Sequence, residues 1–249
     1  MEERGVAAYI GEFIGTFALV FFITAVVSLF VTPPTPGAAT QPFIDWSVVG
    51  LVHIFVLFML IQTLAVISGA HFNPAVTLAM AAIRQIKPAD AVVYWAMQLA
   101  GGTLGALLTK ALLLNEGRDV NWGAVGVSNL LDGKAGLGFV CELIGTFFLM
   151  WAIVGVAVNP AGLKDWSGFV IGGTLGFLVM IFGSLTGAGF NPARAFGPAL
   201  VASDFGGAGK FLLVYVAGPL VGATLAALTY VYLFVTPGRR EVGAMEPVG

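Results

Sequence analysis

The chain has 249 residues, 58% of them hydrophobic and only 10% charged, and its mean hydropathy is +0.96. Soluble domains carry about 25% charged residues, so a surface this poor in charge is not built for water. The net charge of −2 argues against a nucleic-acid partner, and a single cysteine, Cys141, excludes a disulfide within the chain.

Apolar stretches near 20 residues recur along the sequence, as transmembrane helices do. The first covers residues 6–31 and is ended by Pro33, Pro34 and Pro36. It is too long for a signal-peptide core and further spans follow it, so it reads as a retained helix. A polar connection to Asp45 leads into a second span over residues 46–67. Then comes Ser68-Gly69-Ala70-His71-Phe72-Asn73-Pro74-Ala75, followed by an apolar run to residue 83. Asn is a favoured helix N-cap and Pro a favoured first helical residue, so a helix starts at Pro74. At about 1.5 Å per residue it reaches only about 15 Å, half of a ~30 Å hydrocarbon core.

A third span covers residues 89–114, and a loop over 115–136 carries both charge signs and several Gly. The fourth span covers 137–158 and a turn through Asn159, Pro160 and Lys164 leads to a fifth over 166–185. Thr186-Gly187-Ala188-Gly189-Phe190-Asn191-Pro192-Ala193 then opens a second half-length helix over 192–202, and the sixth span covers 211–235. Small residues let membrane helices approach closely, and three pairs have the spacing for it: Gly101 and Gly105, Gly172 and Gly176, Gly218 and Gly222.

The two halves are copies. Six of eight positions around the two Asn-Pro-Ala sets are identical, and Glu12-Phe13-Ile14-Gly15-Thr16-Phe17 matches Glu142-Leu143-Ile144-Gly145-Thr146-Phe147. Each half has three spans, an odd number, so the second copy enters the membrane from the opposite face. The expected architecture is an all-α membrane protein: six transmembrane helices and two half-helices meeting at the midplane, in inverted three-helix repeats. The chain reads as one channel domain, with repeats over residues 6–114 and 137–235. Inverted repeats of this kind place the functional site between the copies. Basic residues favour cytoplasmic termini: Arg4, Arg84, Lys87, Lys164, Arg239 and Arg240 fall on that side, against Lys110, Arg118, Lys134 and Lys210.

Two helix N-termini meeting at mid-membrane create a positive potential there, which opposes cations and hydronium. Asn73 and Asn191 would point NH2 groups into the lumen. Non-helical backbone at membrane depth must line a cavity or be buried in protein, so Gly69, Ala70 and His71, with Gly187, Ala188 and Gly189, are expected to present carbonyls along the path. Central donors flanked by acceptors describe a route for small neutral solutes. Glu12 and Glu142 are nearly the only carboxylates deep in the spans. A proton relay is one reading; acceptance of the adjacent loop's N–H groups is the better one, because the acid recurs identically in each repeat. His71 reads as a loop-ordering group bonded to backbone. His53 reads either as a packing residue or as a polar group facing the bundle interior. The two His have no Ser or Asp partner at motif spacing, so no enzyme, catalytic residue, metal or cofactor is expected. A coupled secondary transporter shares the broken helices but would need titratable or ion-binding groups at the centre.

With these motifs in place, the chain resembles the aquaporin, or major intrinsic protein, family over essentially its whole length. The resemblance rests on the doubled Asn-Pro-Ala, the Glu-x-x-Gly-Thr-Phe repeat, Ser-Gly-Ala-His-Phe before the first motif and Arg194 after the second. It implies a homotetramer with one pore per subunit. It also implies a selectivity filter at His53, Val179, Ala188 and Arg194, and a multi-pass protein of the plasma membrane. That filter is similar to the one in tonoplast intrinsic proteins, which implies water as the main solute with ammonia or urea as further passengers. Ala195 and Ala199 depart from the glycerol-facilitator pattern, which is the alternative. Some water channels carry a Cys at the position of Ala188, and the one cysteine here lies in another span. Mercurials are therefore expected to inhibit only weakly, and strong reversible block of solute flux would contradict the pore assignment.

Overall fold

The computed structural model describes residues 4–32 and 43–236. Six of the described helices are long and apolar enough to cross a membrane: Val6–Phe30, Trp46–Ser68, Pro88–Leu112, Ala135–Val158, Lys164–Thr186 and Ala208–Val235. The first three are α1, α2 and α4, and between the latter two sits the short α3, Pro74–Ala82. In the second half α5, Ala135–Ile153, continues as a π-helical turn, Val154–Val158, and α6 covers Ser167–Thr186. The second short helix is α7, Pro192–Ala202. The last span comprises α8, Ala208–Phe211, a π segment over Leu212–Ala217, α9 over Gly218–Tyr230 and a closing π turn. All six spans and both half-helices lie within a few residues of their expected positions.

The all-helical expectation omits one small element. α1 ends as Val31 turns extended, and β1, Val31–Thr32, pairs antiparallel with β2, Phe43–Ile44. Asp45 follows at once and caps α2 by accepting from the Ser47 and Val48 N–H groups, both at 3.0 Å. Pro33, Pro34 and Pro36, and the basic pair Arg239 and Arg240, lie outside the described residues. In the last span Pro219 cannot donate to the helical ladder, and its ring would collide with the carbonyl four residues back. The π segment immediately before it widens the helix there, which is how such bulges accommodate a break in the ladder.

The polarity of the bundle is inverted relative to a soluble protein. Glu12, Gln98 and Glu142 are 0% exposed, whereas Val66 is 90% exposed. Hydrocarbon solvates the outside, and the polar groups meet one another inside. Three helix pairs hold the bundle together: α1 with α4, α2 with α6, and α5 with α9. Each runs over one of the three glycine pairs. A Cβ at Gly105 would stand 2.5 Å from the Phe17 carbonyl oxygen, and one at Gly172 would stand 2.5 Å from that of Ile54. A Cβ at Gly218 would meet the Phe139 carbonyl oxygen at 3.2 Å, and Gly222 faces Leu143 more closely still. The hydroxyls of Thr24 and Thr109, 2.6 Å apart, add a polar link between α1 and α4.

Neighbouring glycines give a direct check. Gly172 is wedged against α2, but a Cβ added at Gly173 would meet nothing within 4 Å. Gly173→Ala should be neutral or slightly stabilising, because Ala favours helix by about 0.5–1 kcal/mol. Gly172→Ala should cost about 1–3 kcal/mol by overpacking. Thermal unfolding in detergent separates the two, and equal midpoints would refute the close contact.

Candidate functional site

Each Asn-Pro-Ala set is preceded by a loop whose backbone few residues tolerate. Gly69 and Gly187 end α2 and α6 in the left-handed region, with φ of 88° and 76°. The next residues follow them there: Ala70 (φ 52°) and Phe72 (47°) in one loop, Ala188 (49°) and Phe190 (48°) in the other. A non-glycine residue pays roughly 1–2 kcal/mol for that conformation. What holds it is the carboxylate in the neighbouring span. Glu12 accepts from Ser68 Oγ at 2.7 Å, His71 N at 2.9 Å, Phe72 N at 2.7 Å and Gln98 Nε2 at 2.8 Å. Glu142 accepts from Thr186 Oγ1 at 2.6 Å, Gly189 N at 2.9 Å and Phe190 N at 2.6 Å. Leaving a buried donor unpaired costs about 1–3 kcal/mol, so satisfying three or four of them outweighs the strain. Tyr94 and Tyr215 complete the brace by donating to the Ser68 and Thr186 carbonyls at 2.6 and 2.8 Å.

The repeated glycine three residues after each acid now has a cause. The Phe72 ring lies against Gly15 and the Phe190 ring against Gly145, with no room for a Cβ at either. Both rings are fully buried.

The two loops deliver the half-helix starts to one point. Asn73 Oδ1 accepts from Ala75 N at 2.9 Å, and Asn191 Oδ1 accepts from Ala193 N at 2.9 Å and Arg194 N at 3.2 Å. Their amide groups reach across: Asn73 Nδ2 donates to the Phe190 carbonyl and Asn191 Nδ2 to that of Phe72, both at 2.8 Å. One hydrogen of each NH2 is therefore committed to the opposite loop. Each amide has a second hydrogen, and both Asn side chains line the central cavity. Ala75 and Ala193 are fully buried behind them.

That cavity runs between the two halves. Gly69, Ala70 and His71 line it from the first loop, and Ala188, Gly189, Phe190 and Asn191 from the second. Leu19, Ile23, Leu57, Leu149 and Leu175 supply apolar wall. His53 and Arg194 also lie on it, so three of the four expected filter positions share one space. Val179 does not reach this wall. It is buried one helical turn beyond Leu175, on the same side of α6. Gly187 is also off the wall: its N–H bonds Gly183 O, and it packs against Val125.

His53 Nδ1 lies 2.7 Å from the Val49 carbonyl, which can only accept. With a proton on Nδ1, a neutral ring offers Nε2 as an acceptor. His71 departs from expectation, because its ring partner is a side chain. Nδ1 meets Thr77 Oγ1 at 3.1 Å, and the ring stands edge-on to Tyr94. Thr77 in turn accepts from Gln98 Nε2 at 2.9 Å, which ties His71 to the Glu12 cluster.

Arg194 is 3% exposed and donates from Nη1 to the Gly123 carbonyl at 2.9 Å. Its Nε is buried and has no protein partner among the described residues. Gly123 is a residue that sequence reasoning misses. It closes a run of three left-handed residues, Asn121, Trp122 and Gly123, in the loop after α4. Asn-Trp-Gly signals a turn, but nothing in its spacing points to an arginine 71 residues away. Trp122 Nε1 bonds Leu113 O at 3.1 Å, Lys110 Nζ sits 4.2 Å above its ring, and Asn121 Nδ2 bonds Asp204 Oδ2 at 2.9 Å. These contacts fix the loop that holds Arg194. Among the described residues no group of three or more His, Cys, Asp or Glu side chains could hold a metal ion.

A central path lined by amide donors, loop backbone and apolar wall, with two helix N-termini aimed at its middle, defines a membrane channel for small neutral solutes. The family model for major intrinsic proteins matches residues 2–230. Aquaporin AqpM of Methanothermobacter thermautotrophicus is 36% identical over 240 residues, which cover 90% of this chain and 96% of that protein. Probable aquaporin TIP2-2 of Oryza sativa is 33% identical over 245 residues, covering 96% of this chain and 92% of that protein. Among solved structures the aquaglyceroporin from Plasmodium falciparum shares the fold, with a TM-score of 0.75 and 24% identity over 94% of this chain and 99% of that one. The chain belongs to the major intrinsic protein family, the aquaporins, whose members are channels, and it is an integral multi-pass membrane protein.

The brace makes a test possible. Glu12→Gln or Glu142→Gln keeps the size but turns one acceptor into an NH2 facing a loop N–H. The expected loss is about 1–3 kcal/mol, or roughly 2–4 °C in unfolding midpoint for each kcal/mol in a chain of this size. Solute flux through the folded fraction should ignore a pH gradient. Proton-driven flux in wild type that Glu12→Gln abolishes would overturn the bracing role.

Proposed function

We propose that this chain is a passive water channel that also admits ammonia and urea, with selection made at His53, Ala188 and Arg194 on the cavity wall and Val179 supporting them from one helical turn beyond it. The observation that carries the reading is the placement of His53, Ala188 and Arg194 on one cavity wall. A passing oxygen accepts from Arg194, while His53 Nε2 accepts a hydrogen from the solute. Ala188 leaves space beside them, and Val179 keeps its side of α6 apolar. An ammonia molecule has hydrogens for His53 and no need of a second acceptor. This set is like that of tonoplast intrinsic proteins, and probable aquaporin TIP2-2 of Oryza sativa aligns over 96% of this chain.

Cations and protons are excluded at the centre. The two helix N-termini place positive potential where Asn73 and Asn191 stand. A water there accepts from both amides, so its own hydrogens point away from the centre and no proton wire crosses it. Chain organisation follows the same reading: one channel domain of two inverted repeats, residues 6–114 and 137–235. Four copies assemble with one pore each, in the plasma membrane, with both termini cytoplasmic.

Stopped-flow swelling and shrinking of proteoliposomes with water, ammonia, urea and glycerol tests the proposal. Wild type should pass water fastest, and His53→Phe should lose ammonia and urea flux by about tenfold while keeping water within about twofold. A loss of that size corresponds to about 1.4 kcal/mol of barrier. An unchanged His53→Phe profile would remove His53 from the filter. Glycerol flux above water flux would instead assign a glycerol facilitator, and flux driven by a proton or sodium gradient a coupled transporter.

A further inference from the structure

The capping motifs have a second side. Pro74 and Pro192, which face away from the lumen, line an apolar groove of about 590 Å3 between α4 and the last span. Trp95 and Leu99 stand on the α4 side, and Val216 and Leu220 on the other. Its far end is the turn at Gly207 and Ala208, just beyond the end of α7. α7 begins at the meeting point of the half-helices, and its 11 residues reach about 16 Å. The groove therefore runs from the midplane to one rim, the depth of one leaflet of a ~30 Å core.

Its chemistry limits what fills it. Among the described residues no charged side chain lines it, and the one polar side-chain group there, Trp95 Nε1, already donates to the Pro74 carbonyl at 3.0 Å. Ordered water needs two to four polar partners and finds none free. Empty space of this size would forfeit dispersion contacts along every wall. The solvent at this depth, on the outside of a membrane bundle, is hydrocarbon.

We propose that the groove is a lipid site that takes one acyl chain of a membrane lipid, threaded from the Gly207–Ala208 rim with its end against Pro74 and Pro192. Recognition is of the chain and not of the headgroup, since the lining carries no charge. The chain end packs against Pro74 and Pro192, whose neighbours Asn73 and Asn191 line the pore. Trp95 links groove and motif, with its ring in the groove and its N–H on the carbonyl of the first capping motif.

Trp95 is also the reporter. Full-length wild type and Trp95→Phe are reconstituted in lipids brominated near the end of the chain or close to the headgroup, and the difference in fluorescence quenching reports Trp95. Deep bromines should quench this signal about twofold more than shallow ones, because the ring lies near the midplane. Val216→Phe and Leu220→Phe each fill the groove and should cut that quenching by about half, with the circular dichroism spectrum unchanged. Two variants are used so that misfolding of one does not decide the outcome. Three results would each overturn the site. Absence of bromolipid quenching means that another protein segment or a second copy covers the groove. Stronger quenching by aqueous acrylamide than by bromolipid means that water fills it. Quenching unaltered by both filling variants means that Trp95 meets only passing lipid.

Discussion

A carboxylate buried in each half of the membrane bundle holds the irregular backbone on which everything at the centre depends. In hydrocarbon an ionised or unpaired carboxyl group is costly, and so is an unpaired peptide N–H. Glu12 and its loop, and Glu142 and its loop, remove both costs at once. The key residue in each case is the phenylalanine before the Asn-Pro-Ala set. The Phe72 N–H is held by Glu12, its ring lies on Gly15, and its carbonyl accepts from Asn191 of the other half. Phe190 repeats the arrangement with Glu142, Gly145 and Asn73. One peptide thus ties a span, a loop and the opposite half-helix together. Loss of the acid would release a strained residue and leave the opposing amide without its acceptor.

The halves share this brace but differ in what surrounds it. In the first half a polar cluster runs from Glu12 through Gln98 and Thr77 to His71. Ala195 and Pro219 stand where matching positions in the second half would carry Thr and Gln. Pro219 replaces a hydrogen-bonding side chain by a break in the helical ladder, and a π segment precedes it. Gly189 stands where the first half has His71; a Cβ there would be 2.9 Å from Glu142 Oε2. The first loop is cross-linked by side chains. The second is bare, which leaves the lumen beside it to Arg194, held from outside by the Gly123 carbonyl. Structural symmetry sets the meeting point, and its local failure creates the polar asymmetry along the path.

Much of this was legible because a membrane simplifies the reading of a sequence. Where every backbone group must be satisfied within the protein, spans can only be helices. The positions of Asn73 and Asn191 as caps, the half-length of the helices they open, and the role of Glu12 and Glu142 all follow from that rule and from the repeat. The glycine pairs at 101 and 105, 172 and 176, and 218 and 222 are also local signals of close approach. Less legible were contacts made by the long loop after α4. Its Asn121-Trp122-Gly123 turn is ordinary in composition, and only the folded chain brings Gly123 to Arg194. The hydroxyl of Thr77 as partner of His71 is likewise a matter of one helical turn, which spacing hints at but side-chain direction decides.

The sequence by itself determined the solvent, the spans, the caps and the duplication, because composition, periodicity and helix-start chemistry act over a few residues at a time. It could name two helix starts and place them at mid-membrane. Tertiary structure alone decided that each asparagine spends one hydrogen on the other half's phenylalanine carbonyl, that Val179 stands off the wall shared by His53, Ala188 and Arg194, and that the prolines of the same motifs turn toward an apolar groove on the outside. Those outcomes depend on distances between segments more than a hundred residues apart, on which way a side chain leaves its helix, and on which glycines let two backbones touch. Periodicity carries no record of them.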